Sequence, residues 1–210
     1  MAIGRSYEEV LQKAIRMLDL GLKGLVCNDR SFDNLDAELT EPTERRMFAI
    51  AEAIRTGYTV ERIHEMTHVD RWFLSKMKNI VELWQLLKDY SLEAMSCELF
   101  REAKRMGFSD GQIAFITSVS EGDVRKRRKK LGITPCIKQI DTLAGEYPAS
   151  ANYLYLTYNG IADDLELNDK NQVVVIGGGA YRIGSSVEFD WCCVNTVLAL
   201  KKLWGTRRSC

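Results

Sequence analysis

Residues 59–70 read TVERIHEMTHVD, and residues 109–120 read SDGQIAFITSVS. At a constant offset of 50, Thr59, Ile63, Met66, Thr67, Val69 and Asp70 fall on Ser109, Ile113, Ile116, Thr117, Val119 and Ser120. Each copy opens on a hydroxyl side chain that can accept an orphan N–H from the first turn of a helix. Each ends on a second capping residue, Asp70 or Ser120, that starts another helix. The pair predicts two similar helix–turn–helix units, too few to make a solenoid.

The same signals extend outward in both directions. Ser6 and Glu9 have capping-box spacing. Val10, Ala14, Met17 and Leu18 then fall near one face of a helix that Gly21 and Gly24 end. Residues 25–42 read as a polar connector. Thr43 can cap a helix with the stripe Met47, Ile50, Ala51 and Ile54, stopped by Gly57. Asp70 opens a longer one, with Phe73, Met77, Ile80, Val81, Trp84 and Leu87 on one side. Another follows Ser96 and carries Leu99, Phe100, Ala103 and Met106 up to Gly107. Ser109 with Gln112 and Ser120 with Asp123 start two short helices, the second strongly basic. Up to about Leu131 the chain reads all-α.

The character changes after Pro135. Asn152 to Tyr158 looks extended or irregular, and residues 160–171 are acidic and turn-rich. Val173 to Ile176 is a β-branched run of the kind found in buried parallel strands. Gly177, Gly178 and Gly179 follow, and a helix pattern runs from about Ser186 to Lys202. This is the opening strand, loop and helix of a nucleotide-binding-type α/β fold. One strand and one helix cannot complete such a domain, so the chain is expected to be a fragment.

The chain has 210 residues, 46% hydrophobic and 28% charged, with 29 basic and 29 acidic side chains. Zero formal charge gives no global attraction to nucleic acid or anionic lipid. No apolar run approaches the ~18 residues of a membrane span. The six cysteines are scattered without a C-x-x-C pair, which favours reduced thiols over a disulfide framework. Adjacent Cys192 and Cys193 have no histidine nearby and are expected to pack in a core.

Three motifs carry possible chemistry. The glycine loop could bring backbone toward a phosphate. The dinucleotide fingerprint fails, however, because Arg182 stands where its third glycine belongs, and the next glycine is Gly184. His64-Glu65-Met66-Thr67-His68 spells the H-E-x-x-H zinc pattern, which needs both histidines on one continuous helix. Thr67 and Asp70 predict a helix break there. The basic run Arg125 to Lys130 follows a helix–turn–helix pattern and could enter a DNA groove. It has no Asn, Gln or Ser among its base-facing positions, and a solvated basic face is the plainer reading.

The residues from Ile176 to Cys192, IGGGAYRIGSSVEFDWC, resemble the entry to the second synthetase half of the carbamoyl-phosphate synthetase large chain. Asp70 to Leu74 (DRWFL), Gly107 to Asp110 (GFSD), and Lys138 to Ala144 (KQIDTLA) continuing to Tyr158 resemble its oligomerisation region and exit segment. Ala2 to Arg5 with Gln12 to Ala14 resembles the end of its first ATP-grasp module. The resemblance covers about residues 1–203, and its wording is similar to eukaryotic members.

The resemblance implies a mainly α fold: a helical oligomerisation domain followed by the first β-loop-α of a pre-ATP-grasp domain. It implies the end of the first ATP-grasp module at 1–24, the oligomerisation domain with its exit segment at 25–168, the start of the second pre-ATP-grasp domain at 169–203, and an atypical tail at 204–210. The full enzyme makes carbamoyl phosphate from bicarbonate, ammonia or glutamine, and two ATP. This piece would bridge the two synthetase halves and self-associate. Glu188, Ser186 and Arg182 would line the carbamate tunnel, and Gly177, Gly178, Gly179 and Gly184 would form the glycine-rich turn. No catalytic residue, metal or cofactor is expected in the piece itself, with Mg-ATP held by the full-length enzyme. The implied partners are a second copy, the rest of the synthetase polypeptide and the glutaminase domain or subunit, with no nucleic acid and no membrane. The implied compartment is the cytoplasm, with the mitochondrion as the alternative. Two rivals from other classes remain: a tandem helix–turn–helix nucleic-acid-binding module, and a zinc hydrolase using His64, Glu65 and His68.

Overall fold

Most helix starts share one device. The side chains of Ser6, Asn34, Thr59, Asp70, Ser96, Ser109 and Ser120 each accept a backbone N–H from the turn that follows. Such a cap contributes about 1 kcal/mol. A computed structural model describes residues 2–18, 20–140, 153–165, 173–176 and 188–204. They form two units, Ala2–Leu165 and a second within Glu166–Cys210.

The first unit runs α1 (Tyr7–Met17), α2 (Leu35–Thr40), α3 (Arg46–Arg55), α4 (Val60–Thr67), α5 (Arg71–Leu87), α6 (Cys97–Arg105), α7 (Asp110–Thr117), α8 (Glu121–Lys130), β1 (Cys136–Gln139) and β2 (Leu154–Thr157). β1 and β2 pair antiparallel, with Cys136 opposite Thr157 and Gln139 opposite Leu154. The helices enclose one apolar core whose fully buried members include Leu39, Ala49, Ile63, Leu74, Ile80, Leu87, Phe100, Ile113 and Val124. No helix among the described residues is long and apolar enough to cross a membrane.

The internal repeat is present and is longer than its sequence signature. α4 and α7 both end on a left-handed residue, His68 at φ 57° and Ser118 at φ 55°. Upstream, Gly57 and Gly107 take φ +95° and +85°. Tyr58 N–H donates to Ala53 C=O at 2.9 Å, and Phe108 N–H donates to Ala103 C=O at 3.0 Å. This six-residue closure is the Schellman turn that a helix-ending glycine permits. The repeated unit is therefore three helices, α3–α5 and α6–α8.

Thr43 does not cap α3, whose N-cap is Arg45 with no side-chain hydrogen bond, and three more expectations in this unit need correction. Residues 25–42 are more than a connector: Leu25, Val26 and Cys27 are buried, and α2 buries Leu39. A six-residue helix is too short to show apolar periodicity. In α1 the expected apolar stripe is not the core face. Met17 is 38% and Leu18 49% exposed, whereas Glu8, Glu9, Gln12 and Ile15 are buried. The reason is polar: Glu8, Glu9 and Gln12 find hydrogen-bond partners inside. Nor is the Ser6 capping box complete, because the Glu9 carboxylate reaches Arg5 N–H at 2.9 Å rather than that of Ser6.

In the second unit, Val173–Ile176 forms no strand, and Val174 and Ile176 are 82% and 91% exposed. A strand needs a hydrogen-bonded neighbour, and none lies among the described residues of this unit. α9 (Glu188–Trp204) follows. Cys192 on it is exposed, against the expected core position. Trp191, Val194 and Leu198 are exposed as well, since a helix of this kind buries its apolar face only against a sheet.

Candidate functional site

Arg182, Ser186, Gly177, Gly178, Gly179 and Gly184 lie outside the described residues, as does the side chain of Glu188, which opens α9. The other sequence motifs resolve clearly. α4 stops at Thr67, and His68 adopts the left-handed conformation, so the two histidines of the H-E-x-x-H string do not share a helical face. A ring nitrogen of His64 instead meets Val69 C=O at 2.7 Å. Among the described residues no three His, Cys, Asp or Glu side chains could hold one metal ion. In the basic helix α8, Arg128 is buried and bound to Asp110. Arg127 donates to Glu93 C=O at 3.2 Å. Two arginines of the run thus face protein.

The concentration of buried polar groups lies elsewhere, where α1, α6–α8 and the β1–β2 segment meet. Its hub is Glu9, whose side chain is 2% exposed. One carboxylate oxygen accepts from Arg5 N–H at 2.9 Å, from Thr157 Oγ1 at 3.0 Å and from Asn159 Nδ2 at 3.0 Å. The other accepts from Lys13 Nζ at 2.7 Å. Lys13 spends its remaining donors on Ile3 C=O at 2.9 Å and Leu156 C=O at 2.6 Å. Asn159 Nδ2 also reaches Arg105 C=O at 2.9 Å. Burial alone would raise the Glu9 pKa. The hydrogen bonds from Arg5, Lys13, Asn159 and Thr157 outweigh it and hold the pKa below the ordinary glutamate value.

One turn along α1, Gln12 and Gln112 are both fully buried. Gln112 Nε2 donates to Gln12 Oε1 at 2.8 Å, and Gln12 Nε2 donates to Met106 C=O at 3.1 Å. Gln112 Oε1 accepts from Ser109 N–H at 3.0 Å and from Arg16 at 3.1 Å. The expected capping box of α7 is complete, and its glutamine also binds α1. This is why α1 turns a polar face inward: a buried amide or carboxylate is tolerated when its partners are supplied.

A third group lies beneath Tyr158. Lys104 Nζ donates to Phe108 C=O and to Asp110 Oδ1, each at 2.7 Å. Arg128 grips the same carboxylate at 3.0–3.2 Å and donates to Ile133 C=O at 2.9 Å. The Tyr158 ring sits over both cations, 5.0 Å from Lys104 and 5.7 Å from Arg128. On the far edge of β1, Ile137 N–H donates to Asp163 at 2.7 Å and Gln139 N–H to Asp164 at 3.0 Å. These carboxylates satisfy a strand edge that no third strand covers among the described residues.

The close approach of α1 rests on Gly107. A Cβ there would meet Glu9 Cα at 2.8 Å and Glu9 C=O at 3.1 Å, and its φ of +85° disfavours any side chain. Gly107→Ala is expected to cost about 2 kcal/mol, measured by denaturant unfolding.

Chemically the arrangement is saturated. Each of these carboxylates and amides already has its partners, and the hydroxyl–carboxylate pair among them, Thr157 with Glu9, is buried with its carboxylate also taken up by Arg5, Lys13 and Asn159. It fixes geometry. Little of it is legible in the sequence, because Glu9, Gln12, Thr157 and Asn159 lie far apart along the chain and share no local motif.

Residues 1–132 match the family described as carbamoyl-phosphate synthetase large chain, oligomerisation domain, and residues 169–206 match the carbamoyl phosphate synthase preATP-grasp domain. The chain is 51% identical over 206 residues to the carbamoyl phosphate synthase arginine-specific large chain of Eremothecium gossypii, covering 96% of this chain and 18% of that one. It is 47% identical over 205 residues to the mitochondrial arginine-specific large chain of Neurospora crassa, covering 97% and 17%. It is 48% identical over 209 residues to the Multifunctional protein CAD of Squalus acanthias, covering 97% and 9%. The chain thus spans less than a fifth of the length of these relatives. It belongs to the carbamoyl-phosphate synthetase large-chain family.

Proposed function

We propose that this chain is the bridging and self-associating segment of a carbamoyl-phosphate synthetase, and that it does no chemistry by itself. The observation that carries the reading is the clasp at Glu9. Its carboxylate takes hydrogen bonds from Thr157 and Asn159, which follow it by 148 and 150 residues. The helical unit therefore begins and ends at one polar junction. A segment built this way can join two flanking modules while holding their attachment points a fixed distance apart.

In this reading residues 1–24 close a first ATP-grasp module, 25–168 form the oligomerisation domain with its exit segment, and 169–203 begin the second pre-ATP-grasp domain, with 204–210 an atypical tail. Glu188, Ser186 and Arg182 line the carbamate tunnel, supported by a turn of Gly177, Gly178, Gly179 and Gly184. Mg-ATP, bicarbonate and ammonia are handled by the rest of the synthetase, with a glutaminase as the ammonia source. The cytoplasm is the proposed compartment; the mitochondrial forms among the relatives keep the organelle as the alternative. Exposed Trp72 and Phe73, stacked edge-on with a 5.0 Å centroid separation and packed on Tyr7, supply apolar surface for self-association.

Light scattering of the purified chain across a concentration series is expected to show a concentration-dependent dimer or larger species. A folded monomer at every concentration would remove the self-association half of the reading. Carbamoyl phosphate made from ATP by the purified chain would overturn the claim that it is inactive alone.

A further inference from the structure

Asp110 is one carboxylate serving two buried cations. The side chains of Lys104, Arg128 and Asp110 are 5%, 10% and 12% exposed. Arg16 from α1 also acts on Lys104, and Arg125 from α8 acts on Tyr158. The cluster on α1, α6, α7 and α8, closed by Tyr158, thus buries more positive than negative charge. Unbalanced buried charge is costly, and the cheapest relief is loss of a proton. Arginine does not release one at ordinary pH, whereas a buried lysine can.

We propose that Lys104 is a proton-release switch for seating the β1–β2 segment, which docks more tightly once Lys104 is neutral. The inference rests on the reading of this seam as the clasp. When the segment is seated, Tyr158 lies over the ammonium and water is excluded from it. When the segment lifts, the ammonium is rehydrated and keeps its proton. Seating is therefore coupled to proton loss. Burial, opposed by Asp110 and reinforced by Arg128 and Arg16, pushes the Lys104 pKa down to about 8 in the seated form. The seated form binds fewer protons, so docking strengthens as pH rises through that value. It levels off above the ordinary lysine value. One proton limits the slope to about tenfold per pH unit.

The test is hydrogen exchange of the full chain, with protection factors for the amides of Cys136–Gln139 and Leu154–Thr157 corrected for intrinsic rates. Between pH 7 and 9 the parent should gain roughly tenfold in protection, and Lys104→Met should show no gain. A flat parent profile, or an unchanged rise in the methionine variant, overturns the switch. Should that variant fail to fold, the parent decides alone. Its Tyr158 ring-proton resonances should shift with a midpoint near pH 8, and no inflection between pH 7 and 9 overturns the proposal. Glu9→Ala separates the two readings. Lost strand protection in Glu9→Ala with an unchanged pH rise in Lys104→Met leaves the clasp standing and removes the switch.

Discussion

Asp110→Ala is expected to lower the unfolding free energy of the chain by about 3–5 kcal/mol, measured by urea denaturation. The carboxylate takes Lys104 at 2.7 Å and Arg128 at 3.0 Å, and its removal leaves two buried cations without a counter-charge. Burial alone would raise the Asp110 pKa. The attraction of Lys104 and Arg128 overrides it and holds the pKa below the ordinary aspartate value. The contrast is a triple replacement, Lys104→Met with Asp110→Ala and Arg128→Leu. It removes the whole charge set and is expected to stay within about 1 kcal/mol of the parent, because replacing a complete buried ion group by apolar side chains is often near neutral. The other repeat supports this. At the same offset of 50 the positions are Ile54, Val60 and Lys78, so the three-helix unit folds with apolar residues at two of the three. Equal losses in the single and triple variants would show that packing, not charge balance, dominates at this site.

The helical part of the fold was legible because its punctuation is local. A cap at Thr59, Asp70, Ser109 or Ser120 acts within three residues of itself, and the glycines at 57 and 107 end helices through their own backbone. The break after Thr67, read from capping chemistry, is present and separates His64 from His68. The inference from apolar periodicity to burial holds at Met77, Ile80, Val81 and Leu87 and fails at single positions. Phe73 falls on the apolar stripe of α5, yet it is 42% exposed and Leu74 beside it is fully buried. A stripe drawn on one helix cannot show which neighbours arrive. The upstream half of the repeat is hidden in the sequence for a related reason. Ala53, Gly57 and Tyr58 match Ala103, Gly107 and Phe108 closely, but Ile54 faces Lys104, and that change from apolar to charged breaks the visible pattern.

The clasp was barely legible. Gln112 is the capping partner of Ser109, as its spacing predicts, but its amide has a second duty toward Gln12, which is 100 positions away. Long-range polar pairs of this kind leave no local periodicity. A rule that sends Glu, Gln and Asn to solvent holds only until a second element supplies hydrogen-bond partners. Lys138 and Asp164 show the same on the outer strand, meeting at 2.6 Å from opposite ends of the exit segment.

Glu9 is where this blindness has the largest consequence. Glu9→Ala is expected to cost about 3 kcal/mol, because Lys13, Thr157 and Asn159 would lose a shared acceptor and Lys13 its counter-charge. The loss should be uneven along the chain. Exchange protection of Leu154–Thr157 should fall first, while α3–α5, which do not touch the carboxylate, keep theirs. The pH dependence gives an independent check. The folded-state pKa of Glu9 is lowered, so its contribution is fully present above the ordinary glutamate value. It is lost as pH falls through the lower folded value. The parent should therefore lose stability on acidification from about pH 5 toward pH 3. Glu9→Gln, which cannot titrate, should be less stable at neutral pH and should lose less over that interval. Part of the parent's acid response belongs to Asp110, also lowered, and should persist in the glutamine variant. If the two curves run parallel from pH 5 to pH 3, the ionised Glu9 is not what fastens the exit segment, and the junction would have to be held by the Gln12–Gln112 pair and the Tyr158 seat.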